Sequence, residues 1–209
     1  MYQIVRNIGI ELECSGEFRY STTDYWQRGY DGSVSGHGIE FRFSRPYCGQ
    51  NVIDAVNEIT LLMNENKLKV HGVNAGFHLH LDYRNIGVDK AYNLVKNADS
   101  IYKFISTKVG KSRLVNSYCY RPADQYYYNS RYRWIHTGNM YDGGKKTVEV
   151  RLHNGTRSAN KILTWCEFWS EFSLKSDAGG ISQIRGVREY NNMVRSLNIS
   201  SNTRNRFLC

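Results

Sequence analysis

Ile8-Gly9-Ile10-Glu11-Leu12-Glu13 puts apolar residues at every second position and acids between them. Alternation at period two is the signature of a half-buried strand, whose successive side chains point to opposite faces. Three later stretches repeat it: Ile39-Glu40-Phe41-Arg42-Phe43, Phe77-His78-Leu79-His80-Leu81-Asp82 and Val148-Glu149-Val150-Arg151-Leu152. Their apolar sets would floor one core. The opposite face would carry Glu11, Glu13, Glu40, Arg42, His78, His80, Asp82, Glu149 and Arg151. A solvated sheet face is ordinarily rich in Thr, Lys and Ser, whereas this one gathers potential metal ligands and two arginines.

Helical spacing fills the intervals. Val52, Ile53, Val56, Ile59, Leu62 and Met63 share one helix face. Asp89 reads as the N-cap of a second helix with Ala91, Leu94, Val95, Ala98, Ile101, Tyr102 and Ile105 as its buried stripe. Ile162, Cys166 and Trp169 mark a third, and Tyr190, Met193, Val194 and Leu197 a short last one beyond Gly179-Gly180. Ser15 to Gly29 reads as a polar, aromatic connection, and 108–133 as a basic, tyrosine-rich region with no clear period. The tail from Ile199 to Cys209 is polar and expected to fray. Strands and helices mix without a βαβ rhythm, which predicts an α+β fold with a largely antiparallel, curved sheet and helices on one face.

The 209 residues are 41% hydrophobic, enough for a sizeable core, and only two prolines and no Ser/Gly-rich linker interrupt them. One domain over 1–209 is expected. A formal charge of +9 attracts anions such as phosphates, nucleic acid or an acidic substrate. Five cysteines without a CxxC pair argue against a disulfide framework and a thiolate zinc site. The N-terminus enters strand pattern without a leader, and no apolar run approaches the ~20 residues of a membrane span. A cytoplasmic protein is expected.

Glu11 and Glu13 would project from one face with Cα atoms about 6.5–7 Å apart. That separation suits two neighbouring ions, which two-metal sites hold about 3.5–4 Å apart. Glu40, His78 and Glu149 are further candidate ligands on other strands. An oxygen-dominated set favours Mg²⁺, and one imidazole makes Mn²⁺ a reasonable substitute. Arg151 beside Glu149 suits the charge of a transferring phosphoryl group. No P-loop or GxGxxG is present, so a nucleotide would be held through metals and arginines.

The ordered set Gly9-Ile10-Glu11-Leu12-Glu13, Asp31-Gly32-Ser33, Gly38-Ile39-Glu40, Gly76-Phe77-His78-Leu79-His80, Arg131-Tyr132 and Thr147-Val148-Glu149-Val150-Arg151-Leu152 with Asn154-Gly155-Thr156 resembles the amidoligase family of glutamine synthetase-like carboxylate–amine ligases. The resemblance spans roughly residues 5–175. It implies a curved antiparallel sheet holding two divalent ions and ATP, with a substrate carboxylate activated as an acyl phosphate and then captured by an amine. Glu11, His78 and Glu149 resemble the ligands of the ion beside the ATP phosphates, and Glu13 and Glu40 those of an ion nearer the carboxylate. His80 is an implied nucleotide contact, Arg151 and Arg131 the catalytic or anion-binding arginines, and Asn74 a substrate contact; Arg133, from its charge alone, is expected to bind nucleotide if its segment folds over the sheet. Asp31 resembles the amine-binding acid of glutamine synthetases. In those enzymes it precedes the ExE strand and here it follows, so a turn aspartate is the competing reading. The short chain leaves room for another subunit to complete the pocket. Competing functions for the same acidic face are a two-metal nuclease or phosphohydrolase and a catalytically inactive binding module.

Overall fold

The computed structural model describes residues 1–19, 23–34, 37–70, 75–117, 119–120, 130–141 and 143–209. The strands are β1 (Ile8–Ser15), β2 (Trp26–Tyr30), β3 (Gly38–Phe43), β4 (Gly76–Asp82), β5 (Ile135–His136) and β6 (Thr147–Asn154). They form one open antiparallel sheet in the order β2-β3-β1-β4-β6-β5. The four alternating stretches are thus its four inner strands. Ile10, Leu12, Ile39, Phe41, Phe77, Leu79, Leu81, Val148, Val150 and Leu152 are all buried within one continuous apolar cluster.

Six helices complete the α+β architecture among the described residues: α1 (Gln50–Glu65), α2 (Val88–Ile105), α3 (Lys111–Leu114), α4 (Ala159–Asp177), α5 (Val187–Ser196) and α6 (Ser201–Phe207). α4 packs between α1 and α2 and against β4, and buries Trp165, Phe168, Trp169 and Phe172. None of the described helices is long and apolar enough to cross a membrane.

Two expectations need correction. Asp89 is not the cap of α2, which starts at Val88 after Gly87 (φ 103°); Asp89 stands in the first turn, where its charge still favours the helix N-terminus. The tail does not fray from Ile199 onward. Ser200 caps α6 through the amide of Thr203, and Phe207 is fully buried, stacked on Phe168 with centroids 3.9 Å apart. Burying such a ring is worth about 1.5–3 kcal/mol. Beneath it the fully buried Glu167 accepts from the Gln3 amide (2.7 Å), the Ser200 amide (3.1 Å), the Ser200 hydroxyl (2.6 Å) and the Thr203 hydroxyl. One carboxylate thereby ties the amino-terminal segment and α6 to α4.

The pairing of β4 with β6 shifts register between Phe77 and Leu79, a bulge that gives β6 one extra residue around Arg151. Strict alternation would leave His153 on the same face as Glu149 and Arg151. The bulge turns it inward instead, opposite Phe77 and edge-on to Trp165 at 4.9 Å. It also frees the Arg151 carbonyl, which accepts from Arg113 Nη2 at 2.5 Å and Cys119 Sγ at 3.2 Å.

Candidate metal centre between two lobes

The central position of β1 lets both neighbours place side chains beside Glu11. Arg42 of β3 and His78 of β4 lie directly opposite it, Glu40 lies opposite Glu13, and Glu149 of β6 lies opposite His80. Glu11, His78 and Glu149 each offer a ligand atom within 4.8 Å of the other two. His78 Nδ1 stands 3.5 Å from Glu11 Oε2 and 3.6 Å from Glu149 Oε1. These gaps are too wide for strong hydrogen bonds. They suit a shared cation, since ligands 2.0–2.1 Å from an octahedral ion lie about 3 Å apart. His80 adds a second imidazole beside the group, its Nε2 3.1 Å from Glu11 Oε1. The donor set of two carboxylates and one imidazole fits Mg²⁺ or Mn²⁺.

His78 also faces the second pair of acids, with Nε2 3.5 Å from Glu13 Oε1. Glu13 Oε2 accepts the Gly76 amide at 2.6 Å, and Glu40 Oε2 takes Arg42 Nε at 3.1 Å. Among the described residues, Glu13 and Glu40 form a facing pair without a third ligand of their own.

Burial alone would raise the carboxyl pKa values of Glu11 and Glu149. The neighbouring histidines, His80 foremost, together with Arg151 at Glu149, outweigh burial and hold both far below the usual range. Burial likewise opposes a charged His80, yet Glu11 and Glu149 raise its pKa. Glu40 goes the other way. Burial and the charge of Glu11 raise it, and Arg42 compensates only in part. The acids at the centre of the sheet are thus shifted down and the carboxyl at its side up.

Two cavities meet at Glu11. One, about 360 Å³, runs over Gly9 and Phe43 and is rimmed by Arg42, Arg45, Arg84 and Lys145. The other, about 300 Å³, holds Glu13, Asp31, Glu40 and His78 beneath Arg113, Arg131 and Arg151. Arg151 Nη1 donates to Glu149 Oε1 at 2.8 Å. Arg113 lines the same lobe, 1% exposed, and donates Nη2 to the Arg151 carbonyl. Asp31 lines this lobe, and its Oδ1 accepts the Ser33 amide at 2.8 Å, the turn geometry that competed with an amine-binding role.

The sequence matches no protein-family model and no curated protein.

Of the residues expected in the site, Glu11, Glu13, Glu40, His78, His80, Glu149, Arg151, Arg131 and Asp31 all line one lobe or surround the centre. Arg133 does not. It is buried and pairs with Asp99 of α2 at 2.5 Å, while Trp134 Nε1 donates to the same carboxylate at 3.0 Å. It is a structural cation, and the nucleotide-contact expectation for it is corrected. Asn74 lies outside the described residues. Four residues escaped the sequence reading. His136 Nδ1 accepts the Gly138 amide at 3.0 Å, which leaves Nε2 as the protonated nitrogen, 3.3 Å from Glu149 Oε2. Asn139 donates to the same oxygen at 3.1 Å. Lys145 Nζ reaches Glu11 Oε1 at 2.8 Å, and Arg113 comes from α3. None lies in an alternating stretch, so periodicity held no sign of them.

Proposed function

We propose that the protein is an ATP- and Mg²⁺-dependent carboxylate–amine ligase with a glutamine synthetase-like sheet. The observation that carries this reading is the convergence of Glu11, His78 and Glu149, from three adjacent strands, on one cation-sized space between a basic lobe and an arginine-capped acidic lobe. A divalent ion there would neutralise phosphate charge. Glu11, His78 and Glu149 would hold it, and Glu13 with Glu40 would serve a second one. The basic lobe suits nucleotide phosphates, with His80 at its floor. Arg113 and Arg131 suit an anionic acceptor, and Arg151 the transferring phosphoryl group.

In the reaction so proposed, an acceptor carboxylate oxygen attacks the γ-phosphorus of ATP and ADP leaves. The amine nitrogen then attacks the acyl carbon, phosphate departs with the bonding electrons, and the nitrogen gives up a proton. Activation is needed because a carboxylate is a poor electrophile, and the phosphoryl step depends on positioning and charge neutralisation. That proton passes to solvent water. The exposed free thiols of Cys48 and Cys209 suit a reducing compartment such as the cytoplasm.

Calorimetric titration of ADP with Mg²⁺, and again with EDTA, tests the reading against a Glu11→Ala, Glu149→Ala variant. Metal-dependent binding that the variant loses supports it. Absence of nucleotide binding by the wild type in both conditions would sink it, and strand cleavage of nucleic acid would favour the nuclease.

A further inference from the structure

Glu11 and Glu149, the two acids of the centre, each meet one lysine or arginine beside their histidines: Lys145 Nζ lies 2.8 Å and His80 Nε2 3.1 Å from Glu11 Oε1, and Arg151 Nη1 lies 2.8 Å from Glu149 Oε1 with His136 Nε2 3.3 Å from its Oε2. The two cations are not equivalent. Arg151 stands on β6 with its side chain 16% exposed; the Lys145 side chain is 57% exposed and rises from the loop between β5 and β6. The backbone of that loop is fixed on both sides of Lys145. The Gly144 amide bonds Tyr141 O at 3.0 Å, the Lys146 amide bonds Asn139 O at 2.8 Å, and Gly143 and Lys146 take left-handed conformations (φ 83° and 54°). The freedom of Lys145 lies in its four-carbon stem. Its ammonium also belongs to the rim of the basic lobe, together with Arg42, Arg45 and Arg84.

We infer that Lys145 is a placeholder cation, which neutralises Glu11 in the unloaded protein and is displaced into the basic lobe, onto nucleotide phosphate, when a divalent ion enters the centre. The inference rests on the metal-centre reading above. Its physical basis is charge balance. Lys145, Arg151 and the neighbouring imidazoles already compensate the two carboxylates, so a divalent ion adds two positive charges to a compensated, largely buried group. Repulsion then falls on both side-chain cations, and the exposed one with solvated alternatives leaves at least cost. The released ammonium lies beside the phosphates of any nucleotide in the lobe. Metal and nucleotide binding would then be coupled, and by reciprocity phosphate that draws Lys145 off Glu11 favours the metal to the same degree.

The role gives opposite signs in two measurements. Mn²⁺ affinity, read from the free-ion electron paramagnetic resonance signal, and ADP affinity at saturating Mn²⁺, read by calorimetry, would be compared in wild type, Lys145→Gln and Lys146→Gln. Lys146 is a charge control from the same loop whose Nζ donates to Met140 O. Removing an exposed competing ion pair should tighten Mn²⁺ binding of Lys145→Gln about two- to fivefold. Losing a charge-assisted phosphate contact should weaken ADP binding about tenfold. Lys146→Gln should change neither by more than about twofold, as a charge removed away from both ligands. Unchanged or weaker Mn²⁺ binding in Lys145→Gln overturns the inference, as does unchanged ADP affinity or a Lys146→Gln variant that reproduces both shifts. A wild type that binds no Mn²⁺ refutes the metal centre itself, a failure distinguishable from that of Lys145 alone.

Discussion

Acid should destabilise the fold through His153, and the effect can be isolated. Its ring is buried among Phe77, Trp165 and the α4 side of the core, and its Nδ1 lies 2.7 Å from Asn154 O. Burial pushes its pKa down from 6.5 to about 4, and the Asn154 carbonyl offsets this only in part. Because the folded pKa is depressed, the unfolded chain binds more protons in the window between these values. Stability is then retained above the unfolded pKa and lost as pH falls toward the folded one. Lowering the pKa from 6.5 to about 4 corresponds to about 3.4 kcal/mol in full. Between about pH 7 and about pH 4.5 the linkage relation predicts a loss of about 2.4 kcal/mol from this residue alone. Carboxylates such as Glu11 and Glu149 add their own acid dependence, so the comparison must be a difference of differences. Urea melts of wild type and His153→Phe at both pH values supply it, since the variant keeps an aromatic ring but cannot titrate. The wild type should lose about 2 kcal/mol more than the variant. Parallel losses, within about 0.5 kcal/mol, would refute the placement of a neutral His153 in the core.

Glu167→Ala strands four buried or half-buried donors and should cost about 3 kcal/mol, with earlier tryptic cleavage at Arg204 and Arg206; a melt unchanged from wild type would contradict the anchoring role. In Gly76→Ala the new Cβ would sit 2.8 Å from His78 Nε2, 2.9 Å from Arg113 Nη2 and 3.0 Å from Glu13 Oε2. Side-chain ends give way before backbone does, so the fold should survive by circular dichroism while Mn²⁺ affinity drops about tenfold or more. Arg133→Met leaves Asp99 without its cation and should cost about 3 kcal/mol in urea, yet ADP affinity of the folded variant should match wild type. A selective loss of ADP binding there would restore Arg133 to the site.

The inner sheet was legible because each of its strands gives one face to the apolar core and the other to polar groups, so the period-two code was written four times. Strands at the edges carry less of that code. In β2 only Trp26 is buried, while Gln27 and Arg28 face solvent and Gly29 lies under the Arg42 guanidinium. β5 has two residues, too few for any period. In α6 the signal was Ser200 as cap with Thr203 and Phe207 four apart on the buried side, a single repeat hidden among polar neighbours. The acids and histidines of the site could be read because they occupy the off-beat positions of the inner strands. His136, Asn139, Lys145 and Arg113 could not, because tertiary contacts alone bring them in, from an edge strand, loops and a one-turn helix. Parity failed at His153, where the bulge inserts a residue and reverses the face.

The order of the sheet also sets the time at which the centre can exist during synthesis. Glu11 leaves the ribosome well before its partners His78 and Glu149, whose strands then close against β1 and β4 in turn. Pairings this distant in sequence are slow to form. Until β6 docks, a nascent chain holds Glu11 and His78 without the third ligand and without the bulge that seats Arg151. Tight binding of a divalent ion would therefore mark sheet completion, and an elongating polypeptide would stay inert toward metal until its last inner strand was in place.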